Sequence, residues 1–414
     1  MSQIDLFMIR ILHTADWHLG KKLGPYSRLK EQKEVLHELV NLADQEQVDA
    51  VLIAGDLYDQ FNPSTEAMEL FYSTLKQLTR QGQRPVIVIA GNHDSPDRIE
   101  VSDPLARSCG IVLIGHPQTE VPVFQVEDQW KISRTIPGFL EIEFLDDRPP
   151  LRIIHTPFAN EYRMKTYLGS ENMDDQLRAV LQDHWQSIAD TYCDDHGVNI
   201  LMTHLYVSER TKPLPEEPDG EKPIVIGNAQ VIYSDNLPQG IQYAALGHLH
   251  RYQHIRGQAY PIVYSSSLLC YSFSEAGQTK YAVVIDADPA KEIRLNKIGL
   301  TAGKSLARKR FYTVDDAVDW LNQHPDTLVE LTLVSDQYLK SSDKKRLYEA
   351  HDGIVTIIPE VTFDHREEAE NTHQIRLDRS MNELFQDYFI FRHGQTPSGE
   401  LMELFQEIQS EQNL

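Results

Sequence analysis

IRILHTADWHLG, residues 9–20, begins as a strand and ends as a loop carrying reactive groups. The apolar run 9–13 reads as a strand buried on both faces, as in a parallel sheet. The carboxylate of Asp16 and the imidazole of His18 follow it directly. The same order, apolar run then polar loop, recurs in VLIAGDLYD (51–59), with Asp56, and in VIVIAGNHD (86–94), with Asn92 and His93. It returns in VNILMTHL (198–205), with His204, and in QYAALGHLH (242–250), with His248 and His250. Side chains just past the carboxyl ends of neighbouring strands meet on one rim of an open α/β sheet, so these loops supply one cluster.

Between the first strands lie helical patterns at 28–46 and 64–80, the second with Ser64 or Thr65 as its cap, and a long amphipathic helix fits 172–194. Further strands are expected at 261–265 and 280–285. The proline-rich stretch 208–223 reads as an exposed loop. From about 290 the pattern changes to strand 292–299, helix 314–323, strand 327–334, helix 341–351 and strand 354–361, a compact βαβαβ unit. A polar linker near 364–375 leads to two amphipathic helices, about 379–391 and 398–412.

The chain has 414 residues, of which 41% are hydrophobic and 24% charged. That length predicts one large domain plus a smaller one. No apolar run approaches the roughly 18 residues of a membrane helix, and no signal-peptide pattern opens the chain. Met8 directly precedes the first strand, which makes residues 1–7 a candidate dispensable leader. Cys109, Cys193 and Cys270 share no ligand spacing and read as scattered thiols of a reducing cytoplasm. The net charge of −23 argues against a free-standing nucleic-acid binder, which holds phosphates with its own cations. It is compatible with an enzyme whose metal ions carry the local positive charge, or one working beside a DNA-binding partner.

Carboxylate, imidazole and amide oxygen without cysteine suit Mn²⁺, Fe or Zn²⁺. Two such ions require a bridging carboxylate, and Asp56, standing alone between the other motifs, is the natural candidate. His13, His116 and His155 lie in comparable places but read as packing or local hydrogen-bonding residues. Trp17, between two candidate ligands, reads as a packing residue. Lys21, Lys22, Arg28 and Lys30 beside the first loop, and the basic clusters 307–310 and 344–346, are either DNA-backbone contacts or solvated helix faces.

The motifs ILHTADWHLGK, AGDLYD, VIAGNHDSPDR, ALGHLHR and YSSSLLCYSFSEA resemble the calcineurin-like metallophosphoesterase superfamily, and within it the SbcD family of bacterial nuclease subunits. The resemblance covers nearly the whole chain. It implies a four-layer αββα sandwich over residues 8–287, a small capping domain over 288–362 and partner-binding helices over 376–414. It implies one metal held by Asp16, His18, Asp56 and His250, and a second held by Asp56, Asn92, His204 and His248, with Mn²⁺ as the expected ion. His93 becomes the catalytic histidine facing the scissile phosphate, either stabilising the transition state or protonating the leaving oxygen. The implied activity is 3′→5′ exonuclease action on double-stranded DNA and endonuclease action on single strands and hairpins, with the ATPase SbcC as partner and a homodimer formed by the phosphoesterase domain. Asn228 and Ser266 stand where relatives usually have glycine, which puts local turn geometry in question. Asp59 occupies the position of a second active-site histidine in the archaeal branch. Two rivals remain at this point. The core motifs alone permit a phosphodiesterase for small or cyclic nucleotides, which would not require the region 290–414. A non-catalytic DNA-end scaffold would lack part of the ligand set, which is complete here.

Overall fold

The computed structural model describes residues 8–164, 173–214, 231–335, 339–361 and 381–393, with positions 397, 401, 402 and 405 beyond them. The candidate leader, Asn228, the linker 364–375 and most of 398–412 lie outside the described residues.

The apolar runs form strands because alternate residues face two different cores. Ile9, Ile11, Leu52, Ile87 and Ile89 pack into a cluster between two sheets, while Leu12, Val51, Ile53, Val86 and Val88 pack outward against helices. The first sheet has six strands in the order Arg294–Leu300, Lys280–Ala287, Ile9–Thr14, Ala50–Ala54, Val86–Ile89, Ile111–Ile114. The last four are mutually parallel, and Lys280–Ala287 runs antiparallel to Ile9–Thr14. The second sheet has eight strands, with Leu151–Thr156, Val198–His204, Tyr243–Gly247 and Ile262–Tyr264 parallel at its heart.

Helices Leu29–Gln45 and Thr65–Leu78 cover the first sheet, the second capped by the Ser64 side chain accepting from Ala67 N. Helix Met173–Tyr192 buries Leu177, Leu181, Trp185 and Ile188 against the second sheet. The order is therefore helix, sheet, sheet, helix, the expected four-layer sandwich.

One expected strand is reassigned. Arg294–Leu300 pairs antiparallel with Lys280–Ala287 and extends the first sheet, so it does not open the small βαβαβ unit. The strand that does is Ser305–Phe311, parallel to Thr327–Ser335 and followed in the sheet by Ile354–Val361. The ARKR segment is charged and outwardly polar, which masks its strand character in the sequence. Helices Val314–Gln323 and Ser341–Ala350 close this unit over Ala317, Leu321, Val329, Leu331 and Leu347. It is fixed to the sandwich by an apolar cluster of Leu23, Phe273, Leu306 and Leu328. Carboxylates of the first helix add to this: Glu38 accepts from Thr301 N at 3.0 Å and Ala302 N at 2.8 Å, and Glu31 accepts from Lys304 N at 2.6 Å.

Residues 335–338 and 361–414 form a separate compact unit. Its described part holds helix Met381–His393, in which Phe385 stacks on Phe405 with ring centroids 4.0 Å apart.

Candidate metal centre

The carboxyl ends of Ile9–Thr14, Ala50–Ala54 and Val86–Ile89 meet those of Val198–His204 and Tyr243–Gly247 across the inter-sheet core. Three loops begin with tight reversals. Asp16, His18 and Asp56 adopt left-handed φ values of 54°, 44° and 48°, and His248 sits at 113°. Such conformations cost non-glycine residues on the order of 1–3 kcal/mol each, so the surroundings must enforce them. They do: Asp16 N donates to Gly55 O at 3.0 Å, His18 N to Asp56 O at 2.9 Å and Leu19 N to Leu57 O at 3.0 Å, lacing the first two loops together. The fourth loop enters through glycine. A Cβ on Gly55 would lie 2.3 Å from His204 Nδ1, and one on Gly91 would lie 2.2 Å from Asp56 N.

The side chains gather into two buried groups. Ligand atoms of Asp16, His18 and His250 lie within 4.8 Å of one another, and so do those of Asp56, His204 and His248. Asp56 Oδ2 reaches both, at 3.6 Å from His18 Nε2 and 3.3 Å from His204 Nε2. Asn92 Oδ1 lies 3.0 Å from His204 Nε2. A third group, His18, Asp59 and His93, adjoins these within the same 4.8 Å limit. His93 Nδ1 donates to Asp59 O at 2.8 Å, and His93 N donates to Asp56 Oδ1 at 2.9 Å. All seven candidate ligands and His93 are thus brought together, while His13, His116 and His155 are not. His13 is buried and bonded to Tyr243 Oη and Leu246 O, and His116 Nε2 lies 2.9 Å from Asp97. His155 is buried in its strand.

Cations fit this donor set. Asp16 Oδ2 is buried with no hydrogen-bond partner among the described residues, and burial pushes the Asp16 carboxyl up to about 6. Against the same burial, the neighbouring imidazoles hold Asp56 well below the usual carboxylate range. The Nε2 atoms of His18 and His250 are 2.9 Å apart, close enough to share a proton or to face one ion lying beside the line between them.

The calcineurin-like phosphoesterase family matches residues 9–252. Over 97% of this chain and 98% of the relative, the sequence is 36% identical to the SbcD subunit of the nuclease SbcCD from Bacillus subtilis (strain 168). The chain belongs to the calcineurin-like phosphoesterases, in the SbcD family of nuclease subunits. A second relative of that description, from Staphylococcus epidermidis, is 30% identical over 68% of this chain and 66% of the relative. A crystal structure from Thermus thermophilus covers 70% of this chain and 99% of its own, at 12% identity and a TM-score of 0.33.

Around this phosphoesterase centre stand residues that the sequence did not single out. Glu275 accepts from Tyr271 N at 3.2 Å and Ser272 N at 3.1 Å, lies 3.4 Å from His250 Nδ1 and pairs with Lys280 at 2.5 Å. Burial opposes its ionisation, but His250 and Lys280 outweigh it and hold the carboxyl at about 2. A permanently charged acceptor behind His250 fixes that ring's orientation. Asp94 plays the same part for the second loop, accepting from Gly91 N, Leu57 N and Tyr58 N. Arg163 grips the third from above, donating to Gly91 O at 2.7 Å and Asp94 O at 2.8 Å. Gln32 donates to His18 O at 2.7 Å and accepts from Gly20 N at 3.0 Å. Asp94 and Glu275 lay inside recognisable motifs; Arg163 and Gln32, lone polar residues on helices, carried no signal.

The cations of the sequence reading divide clearly. Arg28 is buried, paired with Glu31 and bonded to Cys270 O, and Lys21 pairs with Asp59 at 3.0 Å. In the small unit Arg308 pairs with Glu330, Arg310 with Glu360 and Arg346 with Asp315, while Lys309 lies over the Trp320 ring. Trp17 is buried, edge-on to Phe71.

Proposed function

We propose that this chain is the Mn²⁺-dependent nuclease subunit of an SbcCD-type complex, cutting DNA as a 3′→5′ double-strand exonuclease and a single-strand and hairpin endonuclease. The observation that carries the reading is the pair of buried groups, Asp16/His18/His250 and Asp56/His204/His248, in a chain similar along its whole length to a nuclease subunit.

Asp16, His18, Asp56 and His250 would hold one ion, and Asp56, Asn92, His204 and His248 the other. Ions so held supply hydroxide at neutral pH and neutralise charge on the phosphoryl oxygens. The protein's own part is positional. Asp56 Oδ2 serves both groups. His93, with Nδ1–H committed to Asp59 O, turns Nε2 to the scissile phosphate, there to stabilise its developing charge or to protonate the leaving oxygen. Glu275, Asp94 and Arg163 keep the loops in register.

The chain works in the cytoplasm with the ATPase SbcC, which supplies much of the grip on DNA that this acidic protein lacks. A homodimer forms through the phosphoesterase domain; Val101 and Leu105, on consecutive short helices, are 75% and 78% exposed and offer an apolar face for it. The small unit caps the site, and the terminal helices bind the partner.

Two variants separate binding from chemistry. His93→Ala retains both metals yet cuts DNA at least about a hundredfold more slowly. Asp56→Ala loses metal. Metal analysis with the opposite pattern, His93→Ala depleted and Asp56→Ala loaded, contradicts these roles.

A further inference from the structure

We propose that Phe61 and Tyr162 form a stacking slot for the unpaired nucleobase next to the scissile phosphate; the proposal rests on the nuclease reading above. Both rings are exposed, Phe61 by 51% and Tyr162 by 87%. They line the same cavity, of about 420 Å³, together with Pro96, Asp97, His116 and Arg163.

The slot is built onto the loops that carry the centre. Phe61 follows closely after Asp59, whose carbonyl accepts from His93 Nδ1 at 2.8 Å. At about 3.5 Å per residue, its Cα lies within about 7 Å of the Asp59 Cα. Pro96 follows His93 at a similar remove. Tyr162 adjoins Arg163, which donates to Gly91 O at 2.7 Å and to Asp94 O at 2.8 Å. Whatever occupies the slot is therefore set beside His93, at the edge of the metal groups.

The occupant follows from charge. The chain carries −23, and several basic side chains that could follow a phosphate backbone are paired within the protein, Arg308, Arg310 and Arg346 with carboxylates and Lys21 with Asp59, while Lys22 and Lys30 stay exposed. With so few unpaired cations in an acidic chain, a neutral contact close to the centre adds affinity for DNA. Base stacking on an aromatic face is one, indifferent to sequence because every base has such a face. A base still paired in a duplex must first leave its stack, so the slot favours unpaired nucleotides at the cut.

The test uses the full-length chain, with Phe61→Ala and Tyr162→Ala, on a single-stranded oligonucleotide and on the same strand with an abasic nucleotide at the cut. Binding is read by fluorescence anisotropy in chelator, and cleavage is followed in parallel with Mn²⁺. On the intact strand each variant binds about fivefold to a hundredfold more weakly, the value of one stacked base. On the abasic strand the variants match the wild type, and Phe61→Trp and Tyr162→Trp restore affinity for the intact strand. Variants that bind the intact strand as the wild type does, or that lose equally on both strands because these rings serve a protein partner, overturn the slot. A wild type that binds with the expected base dependence but cuts neither strand upholds the slot and overturns the nuclease reading instead.

Discussion

Ser266 puts opposing effects into one side chain. Its backbone has a left-handed φ of 86°, which strains any residue but glycine. Its Oγ accepts from Tyr281 N at 2.9 Å and donates toward Tyr281 O at 3.2 Å, tying the loop after Ile262–Tyr264 to the first sheet. The hydroxyl offsets the strain, which accounts for a serine at this left-handed position. Ser266→Ala keeps the strain and loses the tie, so it destabilises by about 1–2 kcal/mol. Ser266→Gly loses the tie but relieves the backbone, and costs less. Urea denaturation midpoints rank the three proteins, and an alanine variant as stable as the glycine variant contradicts the strain argument.

His155 is a different case. It is buried in the Leu151–Thr156 strand, and neither ring nitrogen has a partner among the described residues. Burial, helped by nearby His184, brings its imidazole down to about 3. The unfolded chain takes up this proton below about pH 6.5, and the folded chain does not until about 3. Its folded pKa is lowered, so stability is complete above about 6.5 and falls as pH drops through that window, by up to about 1.4 kcal/mol per pH unit. His155→Leu removes the unpaired nitrogens, raises stability at pH 5 and shrinks the loss between pH 7.5 and 5.0. Thermal unfolding at the two pH values checks this; an unchanged loss in the variant contradicts it. The sequence reading set His155 aside as a packing residue and kept His204 as a ligand, although both stand near the end of a strand run. The facing loops separate them in the fold: Gly55 and Gly247 open a space for His204, and no glycine comparably receives His155 among the described residues.

At the scale of elements, the phosphoesterase core was readable because each strand is short, apolar and directly followed by its polar loop. Helices Leu29–Gln45, Thr65–Leu78 and Met173–Tyr192 lie within two residues of their expected limits. The small unit was harder. Its opening strand, Ser305–Phe311, carries Arg308, Lys309 and Arg310, whose ion pairs and stacking on neighbouring elements are invisible in one dimension. The true extra strand of the first sheet, Arg294–Leu300, buries only Leu300, as suits the edge strand it is. The supports of the candidate centre were hidden for a related reason: Arg163 and Gln32 act on backbone carbonyls brought near only by folding.

The terminal helix lends itself to deletion. Met381 and Tyr388 on it are exposed, and the sequence before it is polar. An apolar stripe displayed on a short terminal helix suits docking on a partner's helices. Truncation after Phe363 is expected to leave a folded, Mn²⁺-dependent nuclease that no longer binds SbcC. A pull-down decides it: undiminished SbcC binding refutes the docking role, and an insoluble truncated chain assigns the helix to internal packing.

For the molecule as a whole, an acidic protein is asked to cut a polyanion. Division of labour resolves this. On the proposed function, metal ions held among Asp16, His18, Asp56, Asn92, His204, His248 and His250 would carry the positive charge at the phosphate, SbcC would carry much of the grip on DNA, and the sandwich contributes rigidity. The left-handed backbones of Asp16, His18, Asp56 and His248 show that this rigidity is concentrated on the site, where conformations costly elsewhere are enforced by lacing loops together. The most direct test is a cleavage assay of the purified chain on hairpin DNA, run beside a small phosphodiester, with Mn²⁺ and with chelator. Hairpin cleavage is expected with Mn²⁺ and none in chelator. Equal cleavage in chelator, or hydrolysis of the small phosphodiester alone, would contradict the nuclease assignment.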